Sequence, residues 1–363
     1  MADVWDDRFK ADYRVMRVSR ETHEEIARVT NVTGGSITRN QDTSTFESAS
    51  LDYVGALETG TDWLRIYLDA TDERTGEVTT VALGTFLPST PTRDVDGRRQ
   101  SGTADLYGRL RELSDDDFDT AVSVPAGTAA VAYAKSIALA AGFAADEVIA
   151  DESDYVTSTT WVFGAGSDYD SKLDAINALL DAAGFNSAKT DPYGRLVFSR
   201  YVTPSARPVA REFVEGAGCK VLASLTDELD RLSVSNVVHV DYTTQEATYR
   251  GTAVDDDPMS EWSTVSVGRR IVKAYSYSEL PEGVDESAAQ ATANAKAAQL
   301  LAEDRSILRR LTFTTTYMPV GVGDAVRVEL PTAGVSRTYV IRTQDIDLGA
   351  GCQTKHEARN FDK

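Results

Sequence analysis

The hydrophobic period of this chain changes twice along its length, and this limits the folds open to it more than any bulk property. Between residues 11 and 120 apolar and polar residues alternate, as they must where successive side chains point to opposite faces of a strand. Tyr13–Val18 shows the pattern, and Asp62–Asp69 shows it more strongly: Leu64, Ile66 and Leu68 share one face, Trp63, Arg65 and Tyr67 the other. Thr75-Gly76 and Asp96-Gly97 supply turn residues for hairpins into Val78–Phe86 and Gly102–Leu110.

Between 121 and 201 the period lengthens to that of a helix, about 3.6 residues. Val131, Ala134, Ile137, Ala138 and Ala141 form one stripe, and Leu173, Ile176, Leu180 and Ala183 another, predicting helices over 128–141 and 171–183. Ser171 with Asp174 reads as an acidic capping box. Both helices end in the same residues, Ala140-Ala141-Gly142-Phe143 and Ala182-Ala183-Gly184-Phe185, where glycine takes the left-handed cap and the phenylalanine folds back. Asp191-Pro192-Tyr193-Gly194 turns the chain into a strand at Arg195–Phe198, and Tyr201–Pro208, with two prolines, marks a domain boundary.

From 211 onward the strand period returns, at Ser235–Val240, Leu311–Thr316, Ala325–Leu330 and Arg337–Leu348. One alanine-rich helix interrupts it at 285–305, and Ala288, Ala291, Ala295 and Ala298 are its expected close-packing face. The expected class is α+β: a β domain at 1–120, an α/β domain at 121–208, and a second β domain at 209–363 carrying the helical insertion.

The chemistry-bearing residues form no catalytic or metal-binding pattern, so no catalytic, cofactor or metal residues are assigned and no cofactor is expected. His23, His239 and His356 lie in different segments with no nucleophile elbow, and each is expected at the surface or on an edge strand. His23-Glu24-Glu25 fails as a zincin motif because Ala27 stands where the second histidine belongs. Asp115-Asp116-Asp117-Phe118-Asp119 has Thr120 and Ala126 where a calcium loop needs Gly and Glu, so it and Asp255-Asp256-Asp257 are expected to be solvated acidic loops. Gly321-Val322-Gly323-Asp324 sits between β segments, which suits a tight turn and not a phosphate loop. Cys219 and Cys352 have no metal or redox spacing and are expected to be free thiols, buried or half-buried.

Across 363 residues, 57 acidic side chains against 37 basic ones give a net charge of −20. A surface this acidic repels duplex DNA unless basic residues gather on one face, and Arg20, Arg39, Arg65, Arg98, Arg99, Arg269, Arg270, Arg309 and Arg310 are scattered. No window approaches the roughly 18 apolar residues of a membrane helix, and the start, MADVWDDRFK, lacks the apolar core of a secretion signal. Synthesis and folding in the cytoplasm of a host are expected.

Three stretches resemble the phage tail hub and tail-tip proteins. Val32-Thr33-Gly34-Gly35-Ser36-Ile37-Thr38-Arg39-Asn40, followed by Ser44–Asp52 and Asp62–Asp69, resembles their opening strands. Pro125–Thr128, Ala141-Gly142, Leu173–Phe185 and Tyr193–Val197 are similar to their α/β domain. Ser235–Val238, Arg269–Val272, Pro319–Val326 and Tyr339–Arg342 resemble their closing barrel. The resemblance implies two small tube-type β-barrel domains around an α/β domain, and a trimeric, pseudo-sixfold ring at the junction of tail tube and tip. DNA would pass through its lumen without specific binding. The implied partners are two further copies of the chain, a distal tail or tube protein above, and tip or fibre proteins below, all within a virion tail, with no membrane insertion by this chain. The alternatives are a receptor-binding tip protein and, behind it, a cell-wall hydrolase using two carboxylates.

Overall fold

The computed structural model describes residues 4–57, 59–157, 159–164, 167, 169–203, 206–229, 234–243, 247–260, 262–277, 280, 284, 286–306 and 309–360. The N-terminal region gives β1 (Phe9–Val18), β2 (Glu25–Val29), β3 (Val32–Asn40), β4 (Glu47–Val54), β5 (Trp63–Asp72), β6 (Val78–Pro91), β7 (Asp94–Asp96) and β8 (Arg99–Gly108). The middle region gives α1 (Leu110–Ser114), β9 (Val122–Val124), α2 (Ala130–Ala140), β10 (Val148–Ala150), β11 (Trp161–Phe163), α3 (Lys172–Ala182), β12 (Lys189–Thr190) and β13 (Leu196–Phe198). In the C-terminal region β14 (Val209–Val214), β15 (Val221–Leu229), β16 (Val237–Thr243), β17 (Thr248–Val254), α4 (Thr264–Val267) and β18 (Val272–Tyr277) come first. They are followed by α5 (Glu286–Ser306), β19 (Arg309–Thr316), β20 (Ala325–Leu330), β21 (Val335–Asp347) and β22 (Gln353–Asn360).

The α+β class holds, but the two β regions do not form two closed barrels. Fourteen strands from both ends of the chain make one open sheet, in the order β15-β19-β22-β21-β3-β4-β8-β6-β5-β1-β2. β20 is added beside β21, β14 beside β20, and β7 beside β8. The join is an antiparallel ladder between β21 and β3, with Ile346 opposite Ile37 and Asp345 opposite Thr38, whose hydroxyl donates to the Asp345 carboxylate at 2.8 Å. Strands from separate halves thus complete each other's ladders, and a buried edge is avoided. The sheet also curls: the Tyr13 hydroxyl on β1 reaches the carbonyls of Asp347 and Gly349, at 3.2 and 3.1 Å, past the end of β21. Side chains make this closing contact where no backbone ladder does.

One core fills the curl. Val15, Leu64, Ile66 and Phe86 from the first half pack in one cluster with Phe313, Val326, Tyr339 and Ile341 from the second. The alternation in β5 is realised, with Leu64, Ile66 and Leu68 fully buried, each contributing roughly 2 kcal/mol of burial. Gly35 explains the glycine pair in β3: its φ is +148°, and a Cβ there would lie 2.0 Å from the Ser50 carbonyl oxygen. Only glycine lets β3 and β4 come together at that point.

The middle region forms its own core. α2 and α3 bury Val131, Ala134, Ile137, Leu173, Ile176 and Leu180 beside the three-stranded sheet β10-β13-β12. The Ser171 hydroxyl accepts from the Asp174 amide at 3.1 Å, capping α3 as the sequence predicts. Gly142 and Gly184 take positive φ, and the Phe143 and Phe185 amides bond back to the Ala138 and Leu180 carbonyls, closing both helices.

A third, smaller core joins α5 to the sheet β17-β16-β18. Here the expected packing face is corrected: Ala288, Ala291, Ala295 and Ala298 are exposed, whereas Ala289, Ala293, Ala297 and Leu301 are buried. A helix this rich in alanine offers several small stripes of nearly equal hydrophobicity. Leu301 and the facing Gly251 select among them; a Cβ on Gly251 would sit 2.0 Å from the Ala293 carbonyl oxygen. Residue 285, the expected first residue of this helix, lies outside the described residues.

Candidate assembly site

Two buried polar clusters fix the middle region to the large sheet. Arg109, between β8 and α1, is the bulkiest fully buried side chain among the described residues. Its guanidinium lies between the rings of Trp63 on β5 and Phe143 after α2, 3.9 and 4.3 Å from their centroids. It pairs with Glu147 at 2.9 Å and Glu112 at 3.3 Å, and donates to the Gly194 carbonyl at 3.0 Å. Burial tends to raise the Glu147 pKa, but the Arg109 hydrogen bond and charge outweigh it and hold that carboxyl below its ordinary value. The outer rim of the cluster is His23, which packs edge-on to Trp63 and contacts Glu147 at 3.0 Å.

The second cluster centres on Glu47 at the start of β4. Thr190 of β12 donates to it at 2.7 Å, and Arg39 of β3 approaches to 3.6 Å. Burial pushes the Glu47 carboxyl up to about 7, against the opposing pull of Arg39 and Thr190. Arg39 in turn donates to Gln344 on β21 at 3.0 Å, so the cluster reaches across the β3–β21 join. Sequence reasoning passes over Arg109 and Glu47 and counts Arg39 only among scattered basic residues. Their partners are remote in sequence, and the one local signal is Glu112, three residues after Arg109.

The histidines stay apart in space, and the expected surface or edge-strand placement is corrected for His356. His356 is fully buried on β22, stacked on Phe313, with Nε2 3.1 Å from the Thr315 hydroxyl; burial lowers its pKa to about 4. His239 lies on the central strand β16, its Nδ1 2.9 Å from the Thr252 hydroxyl. Neither the Thr315 nor the Thr252 contact belongs to a triad with a carboxylate orienting the imidazole. The acidic runs are also more structured than expected. Asp116 pairs with Lys172, and Asp255 is buried, accepting from the Ser260 hydroxyl at 2.6 Å to shape its own loop. Gly321–Asp324 forms the expected turn, the Asp324 carboxylate accepting from the Gly321 amide at 2.8 Å. Cys352 is buried and Cys219 half-buried, both free; burial pushes the Cys352 thiol up to about 11. Among the described residues no three His, Cys, Asp or Glu side chains gather as a metal site, and no helix is long and apolar enough to cross a membrane.

The fold does present open strand edges. β2 and β15 end the large sheet, and β14 pairs on one side only, with β20. β15 is exposed along most of its length, including Leu222, and its ladder to β19 is irregular between Val221 and Leu225. β14 exposes Val209 and Val214. A strand edge carries unpaired N–H and C=O groups that can pair with another chain, so such edges are either guarded or used. All three edges mix charged and apolar side chains: β2 carries Glu25 and Arg28 beside exposed Ile26, β14 carries Arg211 and Glu212, and β15 carries Asp227 and Glu228.

No family model and no curated protein matches the chain. Solved structures do: the fold is that of the phage tail hub-type proteins. A tail protein from Neisseria meningitidis superposes with a TM-score of 0.68 at 13% identity, covering 96% of each chain. The 43 kDa tail protein of prophage MuSo2 from Shewanella oneidensis gives 0.67 at 11% identity, covering 96% of this chain and 98% of that one. The E. coli c3393 protein, a type VI secretion component described as structurally similar to the T4 phage tail proteins gp27 and gp5, gives 0.53 at 10% identity, covering 92% and 76%.

Proposed function

We propose that this chain is a structural, non-enzymatic component of a phage-type tail, a hub at the junction of tail tube and tip. The observation that carries this reading is the end-to-end likeness to two tail proteins, with almost nothing left over in either chain. In this reading 1–120 and 209–363 are the ring-forming units and 121–208 is a peripheral unit outside the lumen. Three copies meet through strand edges, and the open edges of β14 and β15, each paired on one side only, support edge pairing as the contact. The strand sets of 1–120 and 209–363, joined in one sheet, make six related sets in three copies, which suits a sixfold tube on one side and a threefold tip on the other, and closed symmetry prevents runaway polymerisation. The net charge of −20 suits a lumen along which DNA slides without specific contact, and it opposes association of free copies at low salt. The partners are a distal tail or tube protein above and tip or fibre proteins below; the chain itself inserts in no membrane, needs no cofactor and resides in the virion tail. The test is a reconstruction of assembled tails. Three copies at the level of this chain, with α2 and α3 outside the channel, are expected; six copies, one copy, or either helix lining the channel would overturn the reading.

A further inference from the structure

A groove of about 680 Å³ opens where three parts of the chain meet: the turn from β3 to β4, the middle region around β12, and the turn before β20 with the middle of β21. Its lining runs against the charge of the whole molecule. Lys189, Arg200, Arg207 and Arg342 face Asp42 and Asp324 there, in a chain of net charge −20. Asp42 is already engaged by Arg342 and by Arg359. Lys189, Arg200 and Arg207 pair with no carboxylate among the described residues. Arg200 donates to the Glu152 carbonyl, and Arg207 to the carbonyls of Val202 and Gly323, at 3.0 and 2.6 Å. Burial, helped by the like charge of Arg342, holds the Arg207 pKa below its ordinary value against the opposing pull of Tyr201 and Asp324. Two further buried atoms of lining residues, the Gln41 Oε1 acceptor and the Arg342 Nε donor, have no hydrogen-bond partner among the described residues. Beside these polar groups stand Phe46, Pro208 and Val322, together with Tyr201 and Val202, which expose about half of their surface.

We propose that this groove is the docking site of an acidic peptide segment from a neighbouring protein, with a side-chain carboxylate held by Arg207 and Lys189. Cationic donors without carboxylate partners suit a carboxylate, because charge-assisted bonds to guanidinium are the strong ones. The exposed Tyr201–Val202 surface can receive an apolar side chain flanking the acid. A nucleic acid fits less well. Four cations, two of them already committed to backbone carbonyls, are few for a polyanion that the rest of the surface repels. The proposal rests on the tail reading only for the partner's identity. Groove binding is measured on the free chain, whereas the ring is read on assembled tails, so the two can fail separately.

The test is fluorescence anisotropy at low salt with the full chain and a short, end-capped, fluorescein-labelled peptide of Glu, Leu and Gly. Saturable binding is expected, and K189E and R207Q are each expected to weaken it by about tenfold. A matched peptide with Gln in place of Glu is expected to bind at least about tenfold more weakly as well. Circular dichroism checks that each variant is folded. If R207Q loses its fold with the Val202 and Gly323 contacts, K189E decides alone. No saturable binding, unchanged affinity in the folded variants, or equal affinity for the Gln peptide would overturn the proposal. Tighter binding of an oligothymidylate, lost on the same substitutions, would assign the groove to nucleic acid and overturn it too.

Discussion

Replacing Arg109 by methionine removes the charge at the centre of the contact between the middle region and the sheet while keeping most of the volume. Its carboxylate partners, Glu147 and Glu112, keep only 12% and 14% of their side-chain surface exposed, so both lose their buried partner. Breaking a buried pair in this way costs about 3–5 kcal/mol, and the partial exposure places this site at the lower end. Losing two desolvated cation–π contacts adds roughly 1–2 kcal/mol each, which methionine packing against Trp63 and Phe143 partly restores. The sum is a loss of roughly 4 kcal/mol, concentrated on the middle region. At a urea dependence of about 2 kcal/mol per M, this moves the midpoint of that region down by roughly 2 M. Pulsed hydrogen exchange across a urea series reads the two bodies separately, through α2, α3 and β13 for one and β3, β5 and β21 for the other. R109M should lower the first set well before the second, and R109K, which keeps the charge but loses the planar stack, should fall between. Loss of protection at unchanged urea, or an equal shift in both sets, would show that Arg109 does not hold the contact together.

Glu47 and His356 give opposite pH dependences. Glu47, raised to about 7, keeps its proton in the folded chain after the unfolded chain has lost it near 4.5. Its stabilising effect is therefore full below about 4.5 and fades as pH rises through about 7, at up to about 1.4 kcal/mol per unit. His356, kept neutral down to about 4, contributes above its ordinary 6.5, and that contribution is lost as pH falls. The slopes offset between 4.5 and 6.5, so thermal unfolding of the wild type should be nearly flat there and E47Q should lose stability on acidification; parallel profiles would refute the assignment. Gly251→Ala should cost about 1–3 kcal/mol by forcing β17 from α5, seen as faster amide exchange across 286–306, and unchanged exchange there would mean the approach is not tight.

The sequence by itself determined everything that depends on neighbours along the chain. Strand and helix periods, the Ser171 cap, the two Gly-Phe helix ends and the Gly321–Asp324 turn rest on contacts within a few residues, and each appears where it was expected. The likeness to tail hubs was legible through the order of these segments. Only the tertiary structure decided the rest. Joining β3 to β21 turns two expected barrels into one sheet with one core, because a ladder partner some 300 residues away leaves no local mark. Which alanine stripe of α5 is buried depends on Gly251 and Leu301, and a periodicity cannot choose between equal stripes. Burial of His356, Glu47 and Arg109 is likewise a property of surroundings assembled from distant strands. Charge and hydrogen-bonding capacity are written in a residue type, but the solvent that each group loses is set only when the sheet curls and the middle region docks against it.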